Sequence, residues 1–88
     1  DAGRVSRVAP LRVLVIGAGG LFGRGVVQGL VAEPGFDVVL AGRTEEPLRR
    51  ICGQLPVVRG SCANPARIDL FAPDFEHTLR TLAPDLVI

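Results

Sequence analysis

The chain has 88 residues, a formal net charge of +1 and 48% hydrophobic residues. That length suits one small domain or part of a larger one, and the apolar content excludes a disordered chain. The near-neutral charge gives no nucleic-acid or anionic-membrane footprint, and no apolar run is long enough to span a bilayer.

Residues 1–10 are polar and irregular and read as a flexible lead-in to one domain over 11–88. Leu11 to Ile16 is β-branched-rich and nearly all apolar, as a parallel strand buried on both faces must be. Gly17 to Gly20 breaks it. From Gly20 to about Ala32, Leu21, Phe22, Val26, Val27, Leu30 and Val31 recur at helical spacing and predict one wide apolar face. Glu33-Pro34-Gly35 ends that helix, and Phe36 to Ala41 is the second strand.

Thr44 is placed to cap a second helix, with Glu45 and Glu46 in its first turn, where the helix dipole favours acids. Leu48, Ile51, Cys52 and Leu55 form its inward stripe, and Gly53 marks its end. Two segments compete for the third strand, Pro56-Val57-Val58-Arg59 and Arg67-Ile68-Asp69-Leu70, with a turn-rich stretch from Gly60 to Pro65 between them. Asp74 then caps a third helix to about Leu82, with Phe75, Thr78, Leu79 and Leu82 facing inward. Asp85-Leu86-Val87-Ile88 opens a fourth strand. Strand and helix alternate throughout, which predicts an α/β fold: a Rossmann-type, doubly wound parallel sheet in three α-β-α layers. The sequence has no Met, and its final residues fall inside an apolar strand, so a longer parent protein is expected, with this sheet truncated after its fourth strand.

The glycines of the first turn carry the chemistry. Gly17 permits a tight turn without a Cβ, Gly19 or Gly20 lets the backbone approach a pyrophosphate, and Gly23 lets the helix pack close to the sheet. Free N–H groups at the helix start, over Leu21, Phe22 and Gly23, then face the phosphates, and the helix dipole favours their charge. The spacing is G-x-x-G-x-x-G through Gly17, Gly20 and Gly23, or G-x-G-x-x-x-G through Gly17, Gly19 and Gly23. Its position between a strand and a helix, with a second strand following, gives the motif its force.

The end of the second strand chooses between cofactors. An NAD site usually carries an acid there to hold the ribose 2′-OH, whereas this chain has Ala41-Gly42-Arg43-Thr44. Arg43 offers a guanidinium fork to a 2′-phosphate and a plane to stack on adenine, and Thr44 offers a hydroxyl. NADP is therefore expected in preference to NAD, with Glu45 or Glu46 as the alternative ribose contact. Asp69 is placed to meet the adenine edge, or else to form a turn or surface ion pair. Arg24 reads as an outer-face cation, Cys52 as core and His77 as a solvated helix residue. Cys52 and Cys62 fit no zinc or redox spacing, which predicts reduced thiols in a cytoplasmic protein. No metal-ligand cluster and no catalytic set is present in the pattern of residues.

Arg12-Val13-Leu14-Val15-Ile16-Gly17-Ala18-Gly19-Gly20-Leu21-Phe22-Gly23 resembles the opening of the saccharopine dehydrogenase-like NAD(P)-binding domain. Val38-Val39-Leu40-Ala41-Gly42-Arg43-Thr44 resembles that family's Ala-Gly-Arg turn, and Leu82 to Ile88 resembles its approach to the fourth strand. The resemblance implies an oxidoreductase parent in which Gly17, Gly20, Gly23 and Arg43, with Asp69, hold the cofactor, and in which the catalytic and substrate residues lie beyond the fourth strand. The stretch from Arg59 to Arg67 departs from the family's short third-strand link. The partner expected is a small-molecule substrate, with no nucleic acid and no membrane, and a homo-oligomer is left open. Two other readings fit the same glycines: the cofactor domain of an extended short-chain dehydrogenase or NmrA-like protein, and a non-catalytic nucleotide-binding Rossmann module.

Overall fold

The computed structural model describes residues 10–88. The expected lead-in therefore lies, apart from Pro10, outside the described residues. Seven elements follow in order: β1 (Leu11–Ile16), α1 (Leu21–Val31), β2 (Phe36–Gly42), α2 (Glu45–Gln54), β3 (Cys62–Arg67), α3 (Phe75–Leu82) and β4 (Leu86–Val87). The strands form one parallel sheet in the order β3-β2-β1-β4. The chain thus steps outward from β1 to β2 to β3, then crosses back to place β4 on the other side of β1.

Period-two alternation along the strands divides the core between the two faces of the sheet. Val13 and Val15 of β1 and Val38 and Leu40 of β2 meet Val27 and Val31 of α1 and Leu48 and Ile51 of α2. On the opposite face Leu14, Val39, Ala41 and Ile68 pack with Phe75, Leu79 and Leu82 of α3. Helices therefore cover both faces, which is the three-layer α-β-α arrangement that the alternation of elements predicts. Among the described residues no helix is long and apolar enough to cross a membrane.

The third strand is neither of the two expected segments. It runs through the stretch read as turn-rich, pairing Cys62 with Asp37 and Arg67 with Gly42 in register. Asn64 and Pro65 are poor strand residues, but β3 pairs only with β2, and an edge strand tolerates a proline that gives no N–H to the ladder. Ala63 and Ala66 reach the core from it while Val57 packs against the first cluster from a loop. That loop is held by its backbone, with the Val58 N–H donating to the Val31 carbonyl at 3.0 Å. Cys62 accordingly starts a strand instead of sitting in a loop.

The α1 face is also narrower than the apolar spacing suggests. Leu21 and Phe22 are 93% and 80% exposed, and the helix packs through Gly23, Val27 and Val31, with Val26 and Leu30 beside them. Both stand in the first turn of α1, directly after the glycine turn, and belong to neither core cluster. Thr44 and Asp74 stand at the N-cap positions of α2 and α3, yet neither side chain makes a capping hydrogen bond.

At the opposite edge of the sheet, Arg12 ties three elements together. Its Nε donates to Asp37 Oδ2 at 2.8 Å, bridging β1 and β2, and its Nη1 donates to the Leu82 carbonyl at 2.6 Å, at the C-terminal end of α3. Its backbone N–H donates to Asp85 Oδ2 at 2.8 Å.

Candidate functional site

Strands β1, β2 and β3 all point their carboxyl ends at one edge, and the turns that follow them build a single concave region. In open α/β sheets this edge is where ligands collect, because helix N-termini converge there. The turn after β1 begins at Gly17, whose φ of 75° is in the left-handed region that favours glycine. The Gly17 N–H donates to the Ala41 carbonyl and its own carbonyl accepts from Gly20, so the turn is anchored to the end of β2. Gly23 closes it: a Cβ there would stand 2.4 Å from the Gly17 oxygen and 2.8 Å from the Ala18 Cα. Only glycine lets α1 start this close to the strand end.

The other two glycines differ. A Cβ on Gly20 would lie 3.4 Å from the Gly17 oxygen, an ordinary contact, and one on Gly19 would meet nothing within 4 Å. The fold alone thus requires neither to be glycine. The first helical hydrogen bond runs from the Arg24 N–H to the Gly20 carbonyl. The N–H groups of Gly19, Leu21, Phe22 and Gly23 have no backbone acceptor among the described residues. They form the donor set that an anionic group at a helix N-terminus requires.

Beside this turn lies a cleft of about 310 Å³, lined by Ile16, Gly17, Gly42, Arg43, Ile68, Asp69, Leu70 and Phe71. It brings together Gly17, Arg43 and Asp69 of the residues that sequence reasoning selected. Gly19, Gly20, Leu21, Phe22 and Gly23 adjoin it through the glycine turn without lining it, and Thr44 stands back at the start of α2. Asp69 is two residues beyond β3 instead of at a strand tip. Its Oδ1 accepts the Phe71 N–H at 3.0 Å, and its carbonyl accepts the Ala72 N–H. Asp69 thus does form a turn, and that turn is one wall of the cleft.

Five lining residues, Ile16, Gly42, Ile68, Leu70 and Phe71, were not selected from sequence. Ile68 is 3% exposed and anchors the third wall, while Phe71 is 90% exposed. The pair Leu70-Phe71, apolar yet inside a turn, is the sequence signal for this wall. Gly42 is confined by Leu48, whose Cδ1 would lie 3.2 Å from a Cβ at that position.

The electrostatics of the β2 end are simple. Arg43 is exposed and has no ion-pair partner among the described residues. Glu45 pairs with Arg49 one turn along α2, and Glu46 pairs with Arg50 at 3.4 Å. Both acids are thereby drawn along the helix surface and neither lines the cleft. Arg24 and His77 are exposed, on α1 and α3. Cys52 and Cys62 are free thiols. Burial pushes the Cys52 thiol up, and burial together with the neighbouring Asp37 carboxylate does the same to Cys62. Neither has the lowered pKa of a reactive cysteine.

The chain matches no protein-family model and none of the curated proteins. Among solved structures it is similar to a short-chain dehydrogenase from Mycobacterium smegmatis, with a TM-score of 0.68 and 21% sequence identity. The match covers 90% of this chain and 35% of that one. At this identity the likeness shows the fold, a Rossmann-type α/β sheet with helices between its parallel strands.

Proposed function

We propose that this chain is the cofactor-binding domain of an NAD(P)-dependent oxidoreductase, with NADP preferred. The observation that carries the reading is the interlock of Gly17 and Gly23 at the start of α1, which opens onto a cleft holding Arg43 and no free acid at the β2 end. The N–H groups of Gly19, Leu21, Phe22 and Gly23 hold the pyrophosphate, Arg43 holds the ribose 2′-phosphate with Thr44 beside it, and Asp69 meets the adenine edge. The residues fit the group in type, with backbone N–H donors and a guanidinium for its phosphates. When bound, the dinucleotide supplies the hydride chemistry, and this chain supplies its position and charge environment. The reacting substrate is a small molecule held by residues other than those in this cleft.

Within that class, the motifs around Gly17 and Arg43 support a saccharopine dehydrogenase-like protein. A second reading, an extended short-chain dehydrogenase, draws support from the fold shared with the mycobacterial short-chain dehydrogenase, of which this chain spans about a third. The third reading is a module that binds the nucleotide without turnover.

Titration with NADPH and with NADH, followed by the nucleotide's own fluorescence, tests the reading. The sequence has no Trp or Tyr to interfere. NADPH binding at least about tenfold tighter than NADH, worth roughly 1.4 kcal/mol, is the expected result. Equal or tighter NADH binding removes the NADP preference. A folded chain that binds neither overturns the cofactor reading altogether.

A further inference from the structure

Phe71 is the most exposed apolar side chain lining the cleft. It lines the cleft, is 90% exposed and belongs to neither core cluster. Ile68, three residues earlier, is buried and fixes the wall to the sheet, and Asp69 Oδ1 fixes the Phe71 backbone through its N–H. The ring is therefore carried by a turn that is itself held, while its faces are left uncovered. A flat hydrocarbon face beside a guanidinium in one cleft is suited to a planar, electron-rich heterocycle, which stacks on the aromatic ring and on the Arg43 plane alike.

We infer that Phe71 is a specificity-determining residue of the cleft, the aromatic wall on which the adenine ring stacks. The inference rests on the proposed dinucleotide reading and deepens it. Stacking of this kind is tolerant of which base is present but demands that a base be there. Phe71 therefore favours ligands that carry a base at this end of the cleft, while Arg43 selects the phosphate on the ribose.

The test uses the full chain and two ligands, NADPH and adenosine 2′,5′-bisphosphate, with Phe71→Ala and Phe71→Tyr beside the native protein. Because Phe71 makes no core contact, its truncation leaves the fold intact, and circular dichroism and the melting temperature check this. Phe71→Ala is expected to weaken both ligands about tenfold, in line with alanine substitutions at base-stacking aromatics, and Phe71→Tyr to retain binding within roughly twofold. If Phe71→Ala binds both ligands as the native chain does, Phe71 is not the base wall, although the dinucleotide reading stands. If Phe71→Tyr loses as much as Phe71→Ala, ring stacking is not the cause and the inference fails. If the native chain binds neither ligand, the dinucleotide reading fails and takes this inference with it.

Discussion

The Gly17 carbonyl oxygen and the Gly23 Cα approach so closely that a Cβ on Gly23 would lie 2.4 Å from that oxygen. The contact is backbone against backbone, so no side chain can move to relieve it. Gly23→Ala is therefore expected to lift α1 off the turn and to destabilise the fold by about 1–3 kcal/mol, the usual cost of forced overpacking. Gly19→Ala has open space and no positive φ, so its stability should change by less than about 1 kcal/mol. Urea unfolding of the two variants checks this ordering. Nucleotide titration of Gly19→Ala then isolates the ligand's approach, because a methyl there meets no protein atom within 4 Å and, in the proposed site, would face the phosphates. Gly19→Ala with native stability and native affinity sinks the assignment of Gly19 to the phosphate site.

Arg43 is the second lever. Arg43→Ala is expected to weaken NADPH by about tenfold, or roughly 1.4 kcal/mol, and to leave NADH within about twofold. Because the contact is between exposed charges, the NADPH loss should shrink as salt rises and the Debye length shortens. An equal loss for both nucleotides assigns Arg43 to the adenine plane alone. No loss for either makes it a solvated loop cation.

The parts of this fold that the sequence made legible are those where period and composition agree. Val13 to Val15 of β1 and Val38 to Ala41 of β2 are buried on both faces, and Leu48 and Ile51 lie one turn apart on α2. β3 escaped because Asn64 and Pro65 contradict strand propensity, and their place is set by pairing with β2, a contact between residues far apart in sequence. The same error hid Ile68, Leu70 and Phe71, since a wall that follows a strand cannot be found while the strand is misplaced. Leu21 and Phe22 show the reverse failure. Their spacing matches the helix, but neither joins a core cluster, because periodicity marks a face without saying what covers it. Arg43 needed no tertiary information, because it directly follows a strand that composition alone marks.

The thiols give a pH dependence. Burial raises the Cys52 pKa above the ordinary 9.0, and burial with the hydrogen bond to Asp37 raises that of Cys62. A raised thiol pKa means that the folded state binds the proton more tightly than the unfolded state. The corresponding stability is fully present below pH 9.0 and is lost as pH rises through the folded pKa. Urea midpoints should therefore fall on the alkaline side, and Cys62→Ser should make the fall shallower. Asp37→Asn removes the carboxylate that accepts from the Cys62 thiol at 3.2 Å, so alkylation of Cys62 by iodoacetamide should speed up at a fixed pH near 9. An unchanged alkylation rate would remove Asp37 as a cause.

Ala83 ends α3 with φ 49° and ψ 54°, the only non-glycine residue with positive φ among those described. Its N–H donates to the Leu79 and Arg80 carbonyls, so it closes the helix in the way a C-terminal glycine normally does. A Cβ in this region costs roughly 1–2 kcal/mol, whereas glycine adds about 0.4–1 kcal/mol of unfolded-state entropy. The first effect is the larger, so Ala83→Gly should stabilise the chain by about 0.5–1 kcal/mol. The turn leads from α3 into β4, and the Asp85 N–H two residues later donates to the Arg12 carbonyl at 2.8 Å. Urea unfolding measures the change, and an Ala83→Gly variant no more stable than the native chain would mean that the left-handed turn is not strained at Ala83.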